Sequence, residues 1–376
     1  MKGLSMRLCH VIETSSGGSA QVMADLIRGQ IRQGDEVTLV YSPLRADSFF
    51  LAAIKEIPSL RVRTLPVRRA VGPRDMVSLW KLYKLLKEEG PFDIIHSHSS
   101  KAGALARLAG ICLPGARQVY TPHAFITMTP GGSRLFGLIE KFLSRFCDAV
   151  VTVSPQEEKH ALEYLGLDRK KVRMIPNGIR LAYPADRDAA RALMGYVPHD
   201  FVIGFVGRLA AQKNPLRLVE TFRILAAQRA DMQLAIVGDG PLRHEVMMAL
   251  ARYRLTGRAR FYAGFNARDL MPAFDALLGT SDYESYALIF PEALDAGVPI
   301  VTTPVGIADE AVVEGKTGYV ADFLPENLAI AVMKLAGRSL DERRQIPAEA
   351  REHARRFGVE RTIAETQALY RELLAS

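Results

Sequence analysis

Apolar and polar positions follow two alternating rhythms along this chain. Short runs rich in Val, Ile and Leu are each followed by longer stretches in which apolar residues recur every three or four positions. The first rhythm predicts strands buried on both faces, and the second predicts amphipathic helices packed over them. In the first half, strands are expected at 8–12, 36–41, 62–65, 93–96, 118–121, 149–153 and 172–175. Helices are expected at 20–32, 75–89, 101–108, 134–146 and 155–165. The turn Pro176-Asn177-Gly178 then interrupts the pattern, and a polar segment follows. From Phe201 the same grammar restarts, with strands at 202–206, 233–237, 260–262, 276–278, 300–302 and 319–321. Helices lie between them, and two more close the chain, at about 340–356 and 359–374.

Strand–helix alternation of this kind predicts an α/β protein with parallel sheets. Its restart predicts two Rossmann-like domains, 1–177 and 178–358. A length of 376 residues also exceeds one ordinary core. Ligands of open α/β sheets bind beyond the carboxyl ends of the strands, so the site is expected in a cleft where the two domains face each other.

Composition narrows the classes. The chain is 48% hydrophobic and 24% charged, as soluble globular proteins are. No apolar run approaches the length of a bilayer span, and no leader-like segment opens the sequence, so a cytoplasmic protein is expected. Three cysteines, Cys9, Cys112 and Cys147, without a CxxC pair speak for reduced thiols and against a disulfide framework. The net charge of +8 is concentrated in the first half, where residues 1–177 carry 25 basic and 16 acidic side chains. Between Arg45 and Lys87, ten basic residues stand against three acids, interleaved with Phe49, Phe50, Leu79, Trp80 and Tyr83. Such a segment suits an anionic membrane surface, and Arg68, Arg69 and Trp80 are its candidate contacts. A solvated basic face would read the same way. No nucleic-acid-binding fingerprint accompanies the charge, so nucleic acid is not an expected partner.

Candidate chemistry lies where strands end. Glu284 and Glu292 stand eight positions apart, about 12 Å if the segment were fully helical, which is too far for one metal ion or one shared proton. The spacing suits gripping two ends of an elongated ligand, although two surface glutamates would leave the same trace. In Gly207-Arg208-Leu-Ala-Ala-Gln-Lys213-Asn214, two cations follow a buried strand at the head of a helix, a good setting for a diphosphate whose charge grows as it departs. Gly238-Asp239-Gly240-Pro241 forms the matching turn after the next strand. Gly17-Gly18, at the start of the first helix, lets backbone N–H groups approach an anion, but it is not GxGxxG. His96, His98 and His123 also sit at strand ends. His123 is a candidate sugar or phosphate contact, and zinc on the three is disfavoured for want of a fourth ligand and the usual spacing. The lone DxD, Asp186-Arg-Asp188, reads as a helix cap, so no metal and no cofactor are expected.

Together these motifs resemble the retaining GT-B fold glycosyltransferases of family GT4. The resemblance covers essentially the whole chain. It rests on Gly17-Gly18, His123, Val153-Ser154, Pro176-Asn177-Gly178, Gly207-Arg208 with Lys213-Asn214, the Gly238 turn, the Glu284 and Glu292 pair, Glu310, and Gly315-Lys-Thr-Gly318. It implies that the second domain binds a nucleotide sugar, the first binds the acceptor, and a final helix, 359–376, crosses back to the first. Arg208 and Lys213 would hold the diphosphate, Glu292 the ribose, and Glu284 and His123 would lie against the transferred sugar. Gly18, Gly238 and the stretch Ser285, Tyr286, Ala287 and Leu288 would line the donor site. Family members usually have Gly-Phe-Gly where Ser285-Tyr286-Ala287 stands, and Asp where Arg180 stands.

His98-Ser-Ser-Lys-Ala-Gly, with Thr-Pro-His-Ala-Phe downstream, is similar to bacterial members that build surface polysaccharides on polyprenyl diphosphate carriers. The resemblance therefore implies hexosyl transfer, from a UDP-sugar before a GDP-sugar, to a saccharide or lipid-linked saccharide acceptor. Peripheral attachment to the inner membrane face would follow. A nucleotide-sugar epimerase of similar fold is the principal alternative, ahead of a two-lobed binding protein and a dehydrogenase.

Overall fold

A computed structural model describes residues 5–15, 17–68, 70–129, 132–181 and 186–376. The chain forms two compact units, one of residues 1–180 with 359–376 and the other of residues 181–358.

In the first unit, seven parallel strands run β1 (Arg7–Ile12), β2 (Glu36–Tyr41), β3 (Arg61–Thr64), β4 (Ile94–His98), β5 (Arg117–Thr121), β6 (Ala149–Thr152) and β7 (Val172–Met174). Their spatial order is β3-β2-β1-β4-β5-β6-β7. β1 therefore has β2 on one side and β4 on the other, and the chain changes winding direction between β1 and β4. Crevices open at such switch points, beyond the carboxyl ends of the strands. The second unit repeats the plan with β8 (Phe201–Val206), β9 (Met232–Val237), β10 (Ala259–Tyr262), β11 (Ala276–Gly279), β12 (Ile300–Thr302) and β13 (Gly318–Val320). Its order is β10-β9-β8-β11-β12-β13, with the switch point between β8 and β11.

The inner strands of both sheets are covered on both faces, which is why they read as unbroken apolar runs, whereas the edge strand β3 is largely exposed. In the second unit Phe205, Phe222, Leu234 and Val332 belong to one core in which each is 2% exposed or less. The last helix, Val359–Ala375, belongs to the first unit. It lies against helix Gly18–Arg32 so closely that a Cβ on Gly29 would sit 2.3 Å from Ile363 Cδ1. Thr362 donates to the Pro176 carbonyl at 2.8 Å, and Gln367 to the Asp35 carboxylate.

Three local expectations change. Helix 155–165 is Pro155–Lys159 followed by a wider π turn, His160–Tyr164. Ser48–Lys55 forms a helix that apolar periodicity did not reveal, capped by Asp47, which accepts from Phe50 N at 2.7 Å. Phe50 is therefore a core residue packed edge-on against Tyr41, not part of a surface patch. The DxD is the helix cap its context predicts, with Asp186 Oδ1 accepting from Asp188 N and Ala189 N at 2.8 and 3.1 Å.

Candidate active site

The switch point of the second unit gathers most of the predicted donor-site residues. β8 ends at Val206, and the chain passes through Gly207 (φ 148°) and a short 3-10 turn to Asn214. Asn214 adopts a left-handed conformation and caps helix Pro215–Gln228 by accepting from Arg217 N at 3.1 Å. Across the switch, the loop after β11 carries Glu284. Lys213 Nζ lies 2.6 Å from Glu284 Oε1, and Ser281 Oγ donates to the same oxygen at 2.7 Å. Gln212 Nε2 approaches the other oxygen at 3.3 Å. Asp282 pairs with Arg217 at 2.7 Å and ties the two loops together from below. Glu284 is thus an oriented carboxylate held by one cation and two neutral donors.

Glycines clear this ground. A Cβ on Gly238 would stand 2.1 Å from the Gly207 carbonyl, and one on Gly240 would stand 2.4 Å from the Leu209 carbonyl. The Arg208 guanidinium is exposed and has no partner among the described residues. Glu292 lies on helix Ile289–Asp295, 3.6 Å from the Arg268 guanidinium. The four residues after Glu284 precede the helix, so the two glutamates are separated by a loop and one turn of helix.

That loop folds back through Ala287, whose φ is 70°. The Tyr286 carbonyl accepts from Ile307 N at 3.1 Å and the Ala287 carbonyl from Phe290 N at 3.0 Å, fixing the turn. A left-handed conformation costs a residue with a Cβ about 1–2 kcal/mol, a strain that glycine would not carry. Ala287→Gly is expected to stabilise the chain by up to about 1 kcal/mol, after subtracting glycine's larger unfolded-state entropy. A lowered urea midpoint would contradict this.

The switch point of the first unit holds four histidines. Side chains two apart on a strand share a face, so His96 and His98 of β4 do. Parallel pairing of His10 with His96 places His10 of β1 beside them. His123 follows β5, and the positive φ of His123 (53°) and Ala124 (105°) turns the chain there. Its ring stacks on His98 at 5.4 Å. His10, His96 and His98 are 0–3% exposed. Burial depresses all four imidazoles, His10 and His123 to about 4 and the central pair well below the usual range.

The comparisons with known proteins agree with this layout. Residues 16–183 match Glycosyltransferase Family 4, and residues 186–353 match Glycosyl transferases group 1. This chain is a family 4 glycosyltransferase. It is similar to UDP-Gal:alpha-D-GlcNAc-diphosphoundecaprenol alpha-1,3-galactosyltransferase of Escherichia coli, at 28% identity over 62% of either chain, so the match spans less than two thirds of that relative. It is 23% identical to a putative glycosyltransferase, EpsD, of Bacillus subtilis (strain 168), over 82% of this chain and 84% of EpsD. Among solved structures, Anabaena HepE in complex with UDP and glucose superposes with a TM-score of 0.81 at 22% identity, over 96% of this chain and 99% of HepE. Sucrose-phosphate synthase from Thermosynechococcus elongatus superposes at 0.83 with 20% identity, over 98% and 99%. At that identity the structures establish the GT-B fold.

In this glycosyltransferase the structure brings Lys213 onto Glu284 and sets Ser285 through Leu288 in the adjoining turn. Gly18 opens helix Gly18–Arg32, and neighbouring Gly17 N donates to Asp47 at 3.1 Å. Arg68 and Trp80 are exposed, and Lys84 Nζ lies 4.8 Å from the centre of the Trp80 ring. Arg69 lies outside the described residues. Sequence reasoning missed His10 and Gln30. The available signal was a histidine inside the otherwise apolar β1, because a buried imidazole needs partners.

Also missed was a groove of about 540 Å³ in the first unit. Helix Ser100–Gly110 forms its floor, and helices Arg74–Glu89 and Arg134–Leu143 contribute its sides. Met76, Leu79, Leu108, Phe136 and Ile139 supply most of the apolar lining, while Glu13, Arg45, Lys101 and His123 line it as well. Helix Arg134–Leu143 is inside out. Its buried positions are Gly137, Glu140 and Leu143, whereas Leu135, Leu138 and Phe142 are 52–67% exposed. Polar contacts anchor it, since Glu140 takes Arg107 Nη2 at 3.0 Å and the Tyr120 hydroxyl at 3.2 Å, with Arg107 over the Tyr120 ring.

Proposed function

We propose that this glycosyltransferase moves a hexose from a nucleotide diphosphate sugar, UDP-linked before GDP-linked, to a saccharide carried on a polyprenyl diphosphate. Transfer proceeds with retention and without a metal ion, at an anionic membrane surface. The observation that carries the acceptor reading is the groove. An apolar pocket with Arg45 and Lys101 in its lining suits an isoprenoid chain ending in a diphosphate, which would compete with Glu13 and Asp75 for those cations, now paired at 3.1 and 2.8 Å. Exposed Met76, Val77 and Trp80, with exposed Leu135, Leu138 and Phe142, fit a surface that meets acyl chains, while Lys81, Lys84 and Lys87 supply charge for anionic headgroups. The Escherichia coli relative, whose name specifies a diphosphoundecaprenol acceptor, supports the same reading.

On the donor side, Arg208 and Lys213 stabilise the diphosphate as its charge grows, in the role a divalent cation would otherwise fill. Glu284 accepts from hydroxyls of the transferred sugar, and His123 is a contact of that sugar. Glu292 accepts from the ribose hydroxyls, with Arg268 orienting it. Gly18 and Gly238 give the phosphates access to backbone, and the turn from Ser285 to Leu288 lines the same site. Glu292→Ala is expected to weaken UDP binding about 10- to 100-fold, the worth of hydrogen bonds to a charged acceptor. Isothermal titration checks it, and an unaltered Kd removes the ribose role.

The deciding assay supplies UDP- and GDP-hexoses with and without a polyprenyl-diphosphate-linked saccharide, in the presence of chelator. Chelator-insensitive transfer with the anomeric configuration kept is the expected result. New sugar nucleotide formed from donor alone would instead indicate an epimerase. Flotation with anionic vesicles at low salt tests the surface reading, and absence of binding would remove it.

A further inference from the structure

The buried histidines of the first unit form a line of hydrogen bonds with an unusual ending. Gln30 Oε1 lies 2.8 Å from His10 Nε2, His10 Nδ1 lies 3.0 Å from His98 Nε2, and His98 Nδ1 lies 3.1 Å from His123 Nε2. Each neutral imidazole has one N–H and one lone pair. Within such a line, every ring must donate in the same direction, so only two arrangements exist. The end group selects between them.

The Gln30 amide oxygen, which faces His10 and leaves the amide Nε2 buried without a hydrogen-bond partner, can only accept. It therefore takes the N–H of His10 Nε2, which leaves His10 Nδ1 to accept from His98 Nε2. By the same logic His98 Nδ1 accepts from His123 Nε2. The last atom of the line, His123 Nδ1, is buried and has no hydrogen-bond partner. A buried polar atom left unsatisfied is costly in a native structure and calls for a ligand or a water. His96 stands beside the line, with Tyr370 on Nδ1 at 2.6 Å and Thr121 on Nε2 at 2.7 Å. His10, His96 and His98 could in principle share a cation, since their ligand atoms lie within 4.8 Å of one another. Every ring nitrogen of the three is already hydrogen-bonded, and a cation would have to break those bonds.

We propose that Gln30, His10 and His98 are positioning residues that fix His123 as its Nε2–H tautomer, so that Nδ1, buried in this structure, is a hydrogen-bond acceptor and not a donor. The direction of the line rests on the Gln30 amide presenting its oxygen to His10, while its use on a sugar hydroxyl rests on the reading that His123 meets the transferred sugar. Reversal would place a proton on Nδ1 and turn the acceptor into a donor. Three residues far apart in sequence thereby set the hydrogen-bonding sense of a fourth.

The test is a long-range ¹H–¹⁵N correlation spectrum of the full chain labelled in histidine, recorded at pH 7. The expected result is that His10, His98 and His123 are neutral and all protonated on Nε2. Gln30→Met keeps the shape of residue 30 but removes the terminal acceptor, so His123 should show both tautomers. Gln30→Glu retains an acceptor and should restore the single form. With both arrangements about equally populated, kcat of Gln30→Met is expected to fall about twofold with an unchanged KM for donor. A wild-type His123 protonated on Nδ1 overturns the proposal, as does a Gln30→Met spectrum that still shows one tautomer. Zinc-dependent shifts of His10, His96 and His98 would also overturn it, in favour of a metal site. Should Gln30→Met fail to fold, the wild-type spectrum decides. Loss of sugar transfer in the wild type would count against the proposed function and leave the tautomer result standing.

Discussion

Lys213→Ala is expected to lower turnover about 10²- to 10³-fold while leaving the fold intact. Lys213 follows β8 at the switch point and is only 20% exposed at its side chain, with Nζ 2.6 Å from Glu284. An ammonium fixed in that position acts most strongly on charge that develops during reaction, because the surrounding protein dipoles need not reorganise. Loss of the side chain removes that stabilisation. It also leaves Glu284 with Ser281 and Gln212 as its donors, which weakens its orientation. Effects on folding should be small, since Glu284 keeps those two neutral partners. Turnover with saturating donor, checked beside a circular dichroism melt, measures the effect. Unchanged turnover would make the lysine a structural partner of Glu284 and nothing more.

Acid should unfold the first unit before the ordinary carboxylate range is reached. His10 titrates at about 4 in the fold, against 6.5 for an unstrained imidazole, because burial disfavours its charged form. The unfolded chain therefore binds more protons through this window, and stability rises with pH. The contribution is fully present above about pH 6.5 and is lost as the pH falls toward 4. Between pH 7 and pH 5, His10 alone costs about 2 kcal/mol, and His96 and His98 shift in the same direction. Against a typical total of about 5–15 kcal/mol, that is a large share. The groups facing these rings are Gln30, Thr121, Tyr370 and His123, and none is a carboxylate that could hold a proton on them. Carboxylates elsewhere act lower, since hydrogen bonds from Tyr253 and Arg229 depress Glu220 and Asp231 respectively. Urea unfolding at pH 7, 6 and 5 should show a steadily falling midpoint. A constant midpoint would mean that the histidines are solvated or already charged.

The sheets were legible because their strands are buried on both faces, and a run such as Phe201–Val206 has no polar positions to blur it. The exposed edge strand β3, Arg61–Thr64, does not follow from that rule and is read from its place in the strand–helix alternation. Helix Ser48–Lys55 escaped it because Ser-Phe-Phe-Leu-Ala-Ala-Ile is apolar nearly all round, which hides a helical period. The π turn at His160–Tyr164 is invisible to periodicity because it closes its helix, so no further turns follow to report the changed phase. In the donor loops, the glycines and charged residues could be read from spacing, but the Lys213 to Glu284 contact required the switch between β8 and β11. His10 could not be connected with His98 without the register of β1 on β4. Motifs close in sequence were thus readable, and contacts created by the order of strands were not.

Anchoring helix Arg134–Leu143 by the Arg107 and Glu140 pair leaves Leu135 and Leu138 with little duty in folding, whereas Phe142 packs edge-on against Phe146. The surface of those two leucines can be rewritten for solubility at little cost to the core. Leu135 and Leu138 replaced by glutamate should give a chain that stays dispersed at high concentration and still melts where the parent does, making it the natural starting point for crystallisation.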